Sequence, residues 1–437
     1  MNSWWQSSTK IQPLTGALVS LALLWVMASS AGAGLSLALS GIAFWGAVLL
    51  LWPRLARRNR IQSLVLLLAG FLAMGFGAYR GANLSLETLL AGNSGLISML
   101  VAVSFLALIS RPEEEAKEQL PQGKRAIGSS LLAVHLFGAV INLSSIFIIG
   151  DRISRRLKLS RIQVLVLVRG FSAAAFWSPF FAAMAVALSY APNASLPKLW
   201  LAGMPLAVAA LIITYWQMSR DGEEPASEFT GYPMHYGGLW LPLLLAALVF
   251  ASRAFYPSMS VLALITLLSP LLAILVLAVR RERVLNQLMT HSSQRLPQMG
   301  NELTLFQAAG VLGYGLERLA STLVDQFPLQ QFGALEACVA YAGIVLLAVA
   351  GVHPIISISL VGALLAPLNP DHTLLALVFL SAWSLGSVVG PLSGMNLAIQ
   401  GRYGIDSFRI MRWNLFYTAA MSVLVMIGLW GIAVIKV

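Results

Sequence analysis

Apolar residues run along this chain in long blocks, with neither the alternation of a strand nor the half-polar stripe of a soluble helix. The blocks fall at about 12–30, 35–52, 62–79, 94–110, 127–150, 162–190, 198–217, 237–253, 258–279, 303–321, 337–367, 373–400 and 413–435. A helix crossing a bilayer needs about 20 apolar residues, so the pattern predicts an all-α integral membrane protein. Three blocks exceed one crossing and hold prolines: 162–190 has Pro179, 373–400 has Pro391, and 337–367 has Pro354 and Pro367. Proline removes an amide donor and clashes with the preceding turn. The blocks 162–190 and 373–400 are therefore predicted to be broken helices.

Basic residues gather between the blocks. The clusters are Arg54, Arg57, Arg58 and Arg60; Lys117, Lys124 and Arg125; Arg152, Arg155, Arg156, Lys158 and Arg161; Arg280, Arg281 and Arg283; and Arg402, Arg409 and Arg412. Such clusters mark the cytoplasmic side. Two of them flank 127–150, so both ends of that block belong on one face. It reads as a re-entrant helical hairpin with its tip at Asn142-Leu143-Ser144-Ser145, polar residues suited to capping two half-helices. The block 337–367 reads as a second hairpin, entering from the opposite face, with its tip at Val352-His353-Pro354. The N-terminus is placed in the cytoplasm.

A shift of 212 positions superposes the two hairpin-plus-span regions without a gap. Val140 meets Val352, Ser145 meets Ser357, Ser172 meets Ser384 and Pro179 meets Pro391, among 8 identities over residues 138–179. Under the same shift hairpin falls on hairpin and every crossing reverses. The predicted organisation is a leading helix (1–34), an inverted repeat (35–217), a cytoplasmic linker (218–236) and a second repeat (237–437). Inverted repeats of this kind place a substrate near the bilayer midplane, at discontinuous helices.

Composition narrows the function. The chain is 58% hydrophobic and 10% charged, against roughly 25% charged in soluble domains. The net charge of +11 follows from the loop clusters and signals orientation, with no nucleic-acid partner implied. A single cysteine, Cys338, excludes a disulfide framework and a Cys-rich metal site. Leu14 to Ser30 followed by Ala31-Gly-Ala-Gly imitates a signal peptide, but only Lys10 precedes it, and it is read as a membrane helix. His135, His235, His291, His353 and His372 are scattered with no catalytic or zinc motif around them.

The layout of two inverted repeats, each with scaffold helices, a hairpin and a broken helix, resembles the ion-transporter superfamily over roughly residues 35–435. That group includes the divalent-anion sodium symporters, the large membrane subunits of tripartite dicarboxylate transporters and the arsenite permeases. The resemblance implies a secondary transporter of the inner membrane that moves a small anion, an organic carboxylate by preference, coupled to protons or sodium. It also implies a homodimer. The symporters carry Ser-Asn-Thr at each hairpin tip, where this chain has Asn142-Leu-Ser-Ser and Val352-His353-Pro354.

The expected substrate contacts are His353, Pro391, Ser393, Gly394 and Asn396 in the second half, with Asn142, Ser144, Ser145 and Pro179 in the first. His353 could bind an anion or carry a proton, and the half-helices after each proline offer amides to an anion. Ser172 and Ser384 are candidate ion ligands, or interhelical hydrogen bonds. Arg169 is expected to snorkel toward the interface, and Glu317 and Arg318 to pair with a neighbouring helix. No cofactor or metal is expected. An exporter of amphipathic or drug-like compounds is the second reading, and a non-transporting membrane partner or membrane enzyme the third.

Overall fold

The computed structural model describes residues 8–109, 120–154, 158–220, 224–234, 240–323 and 331–434, without the side chains of 8–10 and 242. Lys117, Arg155, Arg156, His235 and Asp325 lie outside the described residues. Among those described the chain is helical, with one isolated bridge between Gln122 and Thr230. In chain order the helices are α1 (Ser8–Ala28), α2 (Leu37–Leu51), α3 (Arg57–Tyr79), α4 (Leu86–Ala91), α5 (Ser94–Ser104), α6 (Gly123–Ile141) and α7 (Ser144–Ile153). They continue with α8 (Arg161–Ala173), α9 (Ala182–Tyr190), α10 (Leu196–Ser219), α11 (Trp240–Phe255), α12 (Val261–Val279) and α13 (Val284–Thr290). The last six are α14 (Gly300–Ser321), α15 (Ala334–Val349), α16 (Pro354–Leu365), α17 (His372–Val389), α18 (Gly394–Tyr403) and α19 (Ser407–Val434). Nine described spans are long and apolar enough to cross a membrane, and the fold is that of a multi-pass, all-helical membrane protein.

The compact units do not follow the order of the chain. Unit 1 comprises Met1–Ile109, Leu245–Pro328 and Ser359–Pro367; unit 2 comprises Ser110–Leu244, Leu329–Ile358 and Leu368–Val437. Each unit therefore draws on both halves of the sequence.

In unit 1, α3 and α14 meet backbone to backbone. A Cβ added to Gly315 would sit 2.2 Å from the Gly70 oxygen, and one added to Gly70 would sit 2.8 Å from the Val311 oxygen. Small residues allow that approach, the usual basis of helix packing in membranes. Glu317 and Arg318 pair with each other within α14, so the expected pairing with a neighbouring helix is replaced by an ion pair between chain neighbours. The polar stretch after α12 holds His291, which is buried. Its Nε2 lies 2.9 Å from Ser104 Oγ, and its ring lies 4.5 Å from that of Phe105. Burial, with Arg295 nearby, pushes its pKa down to about 4.

Unit 2 contains one whole helical hairpin, the first arm and tip of a second, and two broken helices. The first hairpin is α6–α7, turning at Asn142, whose φ of 51° ends α6. Its arms return to one end: the Arg152 guanidinium at the close of α7 lies 5.5 Å from the Tyr232 ring. The Tyr232 amide in turn donates to Ser130 of α6. The second hairpin is α15–α16. Its turn uses Gly351 at φ +96°, a conformation only glycine takes without strain, and α16 starts on Pro354, whose missing amide would find no partner there anyway. Both broken helices part at their prolines: α8 and α9 are separated around Pro179, α17 and α18 around Pro391. The outer ends of α7 and α18 are joined where Arg402 and Tyr403 bind the Asp151 carboxylate.

Candidate functional site

Each hairpin tip of unit 2 sits on the break of its own following helix. At the first, Pro179 leaves the chain without an amide and Ser178 repairs the gap. Its hydroxyl donates to the Ala139 carbonyl of α6 and accepts the Phe180 amide at 3.2 Å. Asn142 Nδ2 donates to the Phe180 carbonyl at 3.2 Å, and Ser145 Oγ donates to the Asn142 carbonyl at 2.9 Å. Of the amides after Pro179, those of Phe180 and Phe181 are taken, the second by the Ser178 carbonyl. Ser178, Pro179, Phe180 and Phe181 are all buried, while Ser144 is exposed.

His135 ties the same tip down. The Trp177 indole N–H donates to its Nε2 at 3.2 Å, and its Nδ1 lies 3.1 Å from the Gly170 carbonyl. An indole nitrogen can only donate, so Nε2 is bare and Nδ1 carries the proton. Both ring nitrogens are then satisfied. His135, Trp177 and Ser178 are absent from the sequence-based list. Only the Ser-Pro pair, a turn initiator, could have pointed to one of them.

The second break is built from within. Asn396 is fully buried, and its Nδ2 lies 2.9 Å from the Gly390 carbonyl, 3.0 Å from that of Val388 and 3.3 Å from that of Ser387. It therefore closes the C-terminal end of α17, where four carbonyls lose their helical partners. Ser393 Oγ donates to the Ser387 carbonyl at 2.8 Å and accepts the Asn396 amide, capping α18. Pro391 is buried and shapes the break without a polar group of its own. The expected substrate contacts of Asn396 and Ser393 are, in this arrangement, contacts to the protein's own backbone.

What remains available is His353 and Gly394. The Ile355 amide donates to His353 Nδ1 at 3.2 Å, so the neutral ring carries its proton on Nε2. A Cβ added to Gly394 would lie 3.9 Å from that Nε2. Gly394 is exposed and His353 half-buried, and Nε2 makes no hydrogen bond among the described residues. The amides of Gly394 and Met395 lie in the first turn of α18, beyond reach of any carbonyl of their own helix. The His353 Nε2–H thus lies beside a glycine at the positive end of a helix. Trp383 stands edge-on to His353 at 5.8 Å, and Leu392 closes on Gly351.

The remaining candidates serve the frame. Ser384 Oγ donates to the Ser172 carbonyl at 2.8 Å, so the two residues matched by the 212-residue shift touch each other across α8 and α17. Ser172 Oγ itself turns back to the Arg169 carbonyl. Arg169 does not snorkel: it is fully buried. Its guanidinium binds Asn414 Oδ1 and Gln217 Oε1, both at 2.7 Å, and lies 4.2 Å from the Tyr417 ring. Its partners lie on α10 and α19. Among the described residues no three His, Cys, Asp or Glu side chains are grouped to hold a metal.

No family model matches the chain, and a search among curated proteins finds no match. Among solved structures it is similar to the Alcanivorax borkumensis YdaH transporter, at 14% sequence identity and a TM-score of 0.45. The likeness spans 85% of this chain and 97% of that one.

Proposed function

We propose that this chain is a secondary transporter of a small anion, and that the second tip and break of unit 2 bind it. The carrying observation is the Nε2–H of His353, a donor without a partner among the described residues, beside exposed Gly394 and the first turn of α18. A ring N–H beside a glycine, with no side chain in the way, suits an oxygen of an anion, and the helix end favours negative charge. Neither segment of the site, 348–357 or 386–400, contains an acidic residue that would compete. An organic carboxylate matches this donor set. Transport would be by alternating access, with the substrate site exposed to each side in turn and a proton or sodium ion coupled to it. Imidazole is suited to carrying the proton. The basic loop clusters support an inner-membrane location with a cytoplasmic N-terminus.

A thermal-shift screen of the purified protein tests this against carboxylates, sulfate, arsenite and amphipathic drugs, at two pH values, with and without sodium. A ligand that binds only the folded state adds about 2.7 kcal/mol at a hundredfold excess over its Kd. A carboxylate should raise the Tm of the wild type and not that of His353→Ala. Stabilisation by drugs alone would favour the exporter reading, and a carboxylate response that survives His353→Ala would remove the site proposed here.

A further inference from the structure

Unit 2 carries a second recess, away from the tips. A cleft of about 480 Å³ opens between the start of α8 and the turn joining α18 to α19, lined among others by Lys158, Arg161, Glu224, Asp406, Arg409 and Trp413. Its size falls in the range of small-molecule sites. Both of its carboxylates are engaged with main chain. Glu224 accepts the Arg161 and Ile162 amides at 3.0 and 3.1 Å, closing the N-terminus of α8. Asp406 accepts the Arg409 amide at 2.9 Å and closes that of α19.

The cations are arranged differently. The guanidiniums of Arg161 and Arg409 both lie over the ring of Trp413, at 6.0 and 5.1 Å from its centre. Lys158 is exposed at the rim, and neither it nor Arg409 makes an ion pair among the described residues. Lys158, Arg161 and Arg409 outnumber the carboxylates of Glu224 and Asp406 in the cleft, and an anion with several oxygens that reaches the exposed Arg409 and Lys158 would balance the remaining positive charge. Guanidinium groups present their donors in the planar fork that phosphate oxygens fit.

We propose that this cleft is a separate binding site for a phosphate-bearing anion, held by Arg409 and Lys158 over the face of Trp413. A ligand there would tie the start of one broken helix to the end of the other. The proposal is independent of the substrate site at His353, which shares no residue with the cleft. The same chemistry could arrive as a soluble phosphate or as a lipid headgroup.

The test uses the full chain in two arms. In detergent, the Tm is followed while potassium pyrophosphate is titrated against potassium chloride of matched ionic strength. In nanodiscs of phosphatidylcholine, it is followed with and without added phosphatidylglycerol. A saturable rise is expected in at least one arm, weakened about tenfold by Arg409→Gln and by Lys158→Gln, as loss of one charge-assisted contact gives. A response to pyrophosphate alone assigns a soluble ligand, and a response to phosphatidylglycerol alone assigns the lipid. Lys158 lies outside the helices, so its variant keeps the test valid if Arg409→Gln fails to fold. A rise no larger than that with chloride in both arms, or an unchanged response in both variants, overturns the proposal.

Discussion

At Asn142 and Phe180 the first tip closes over its break with side chains, whereas at His353 and Gly394 the second tip leaves its break open. The same backbone event, a proline inside a long apolar helix, is resolved in two ways. In the first pair Ser178 and Asn142 take the Ala139 and Phe180 groups and His135 those of Gly170 and Trp177, and Ser178 to Phe181 are buried. In the second, Asn396 closes the α17 side, and the α18 side, capped at the Asn396 amide by Ser393, keeps the amides of exposed Gly394 and of Met395. The two histidines carry their protons on opposite nitrogens for the same reason: His135 faces an indole donor, His353 a backbone donor. A break that is sealed serves stability. One that is half sealed can take a ligand.

The largest expected effect falls on the closed side of the open break. Asn396→Ala leaves the Val388 carbonyl without its amide and those of Ser387 and Gly390 with only their Ser393 contacts, which should cost on the order of 2–3 kcal/mol and lower the Tm accordingly. A loss under about 1 kcal/mol would mean that water serves those carbonyls, and that both sides of the second break are open.

Next come the histidines, which should separate cleanly. His135→Phe removes contacts to Gly170 and Trp177 and should cost about 2 kcal/mol while leaving the ligand response in place. His353→Ala gives up one backbone contact, about 1 kcal/mol, yet should abolish the ligand response. Gly394→Val should abolish it as well, because its side chain would occupy the space in front of His353 Nε2. Reversed roles for the two histidines in a thermal-shift titration would break the comparison. A smaller effect is expected for Ser384→Ala, which loses one interhelical bond to Ser172, about 1 kcal/mol or less in chemical unfolding.

The smallest effect at neutral pH comes from His291 in unit 1, and it has to be separated from any pH dependence of binding. Its folded pKa is about 4 against an ordinary 6.5, so the folded state holds the neutral ring. Between those values the unfolded chain binds a proton that the folded one does not. The stabilisation is therefore fully present above pH 6.5 and is lost as the pH falls toward 4. His291→Gln should flatten this part of the stability profile and leave binding unchanged.

The breaks were legible because length and proline speak together: residues 162–190 and 373–400 are too long for one crossing, and each holds a proline far from its ends. The turn at Asn142 falls inside 127–150, the block that basic clusters on both sides single out for a return. The role of Asn396 was not legible. Its amide reaches carbonyls only a few residues upstream because the chain reverses at Gly390–Ser393, a geometry that no spacing announces. Arg169 escaped for a related reason. Near a cluster of loop arginines it looks like a snorkelling side chain, and its partners Gln217 and Asn414 lie 48 and 245 residues away. The cut into two units was hidden too, since each collects segments from both halves of the sequence.

The open donor at the second break is most directly tested by nitrogen-15 spectra of the histidine rings in the detergent-solubilised protein, assigned with His135 and His353 variants. His135 should report a proton on Nδ1 and His353 a proton on Nε2, and the carboxylate that stabilises the protein most should move the His353 Nε2 resonance while leaving His135 in place. A proton on His353 Nδ1 would contradict the account, because that nitrogen could then not accept the Ile355 amide and no free N–H would face Gly394.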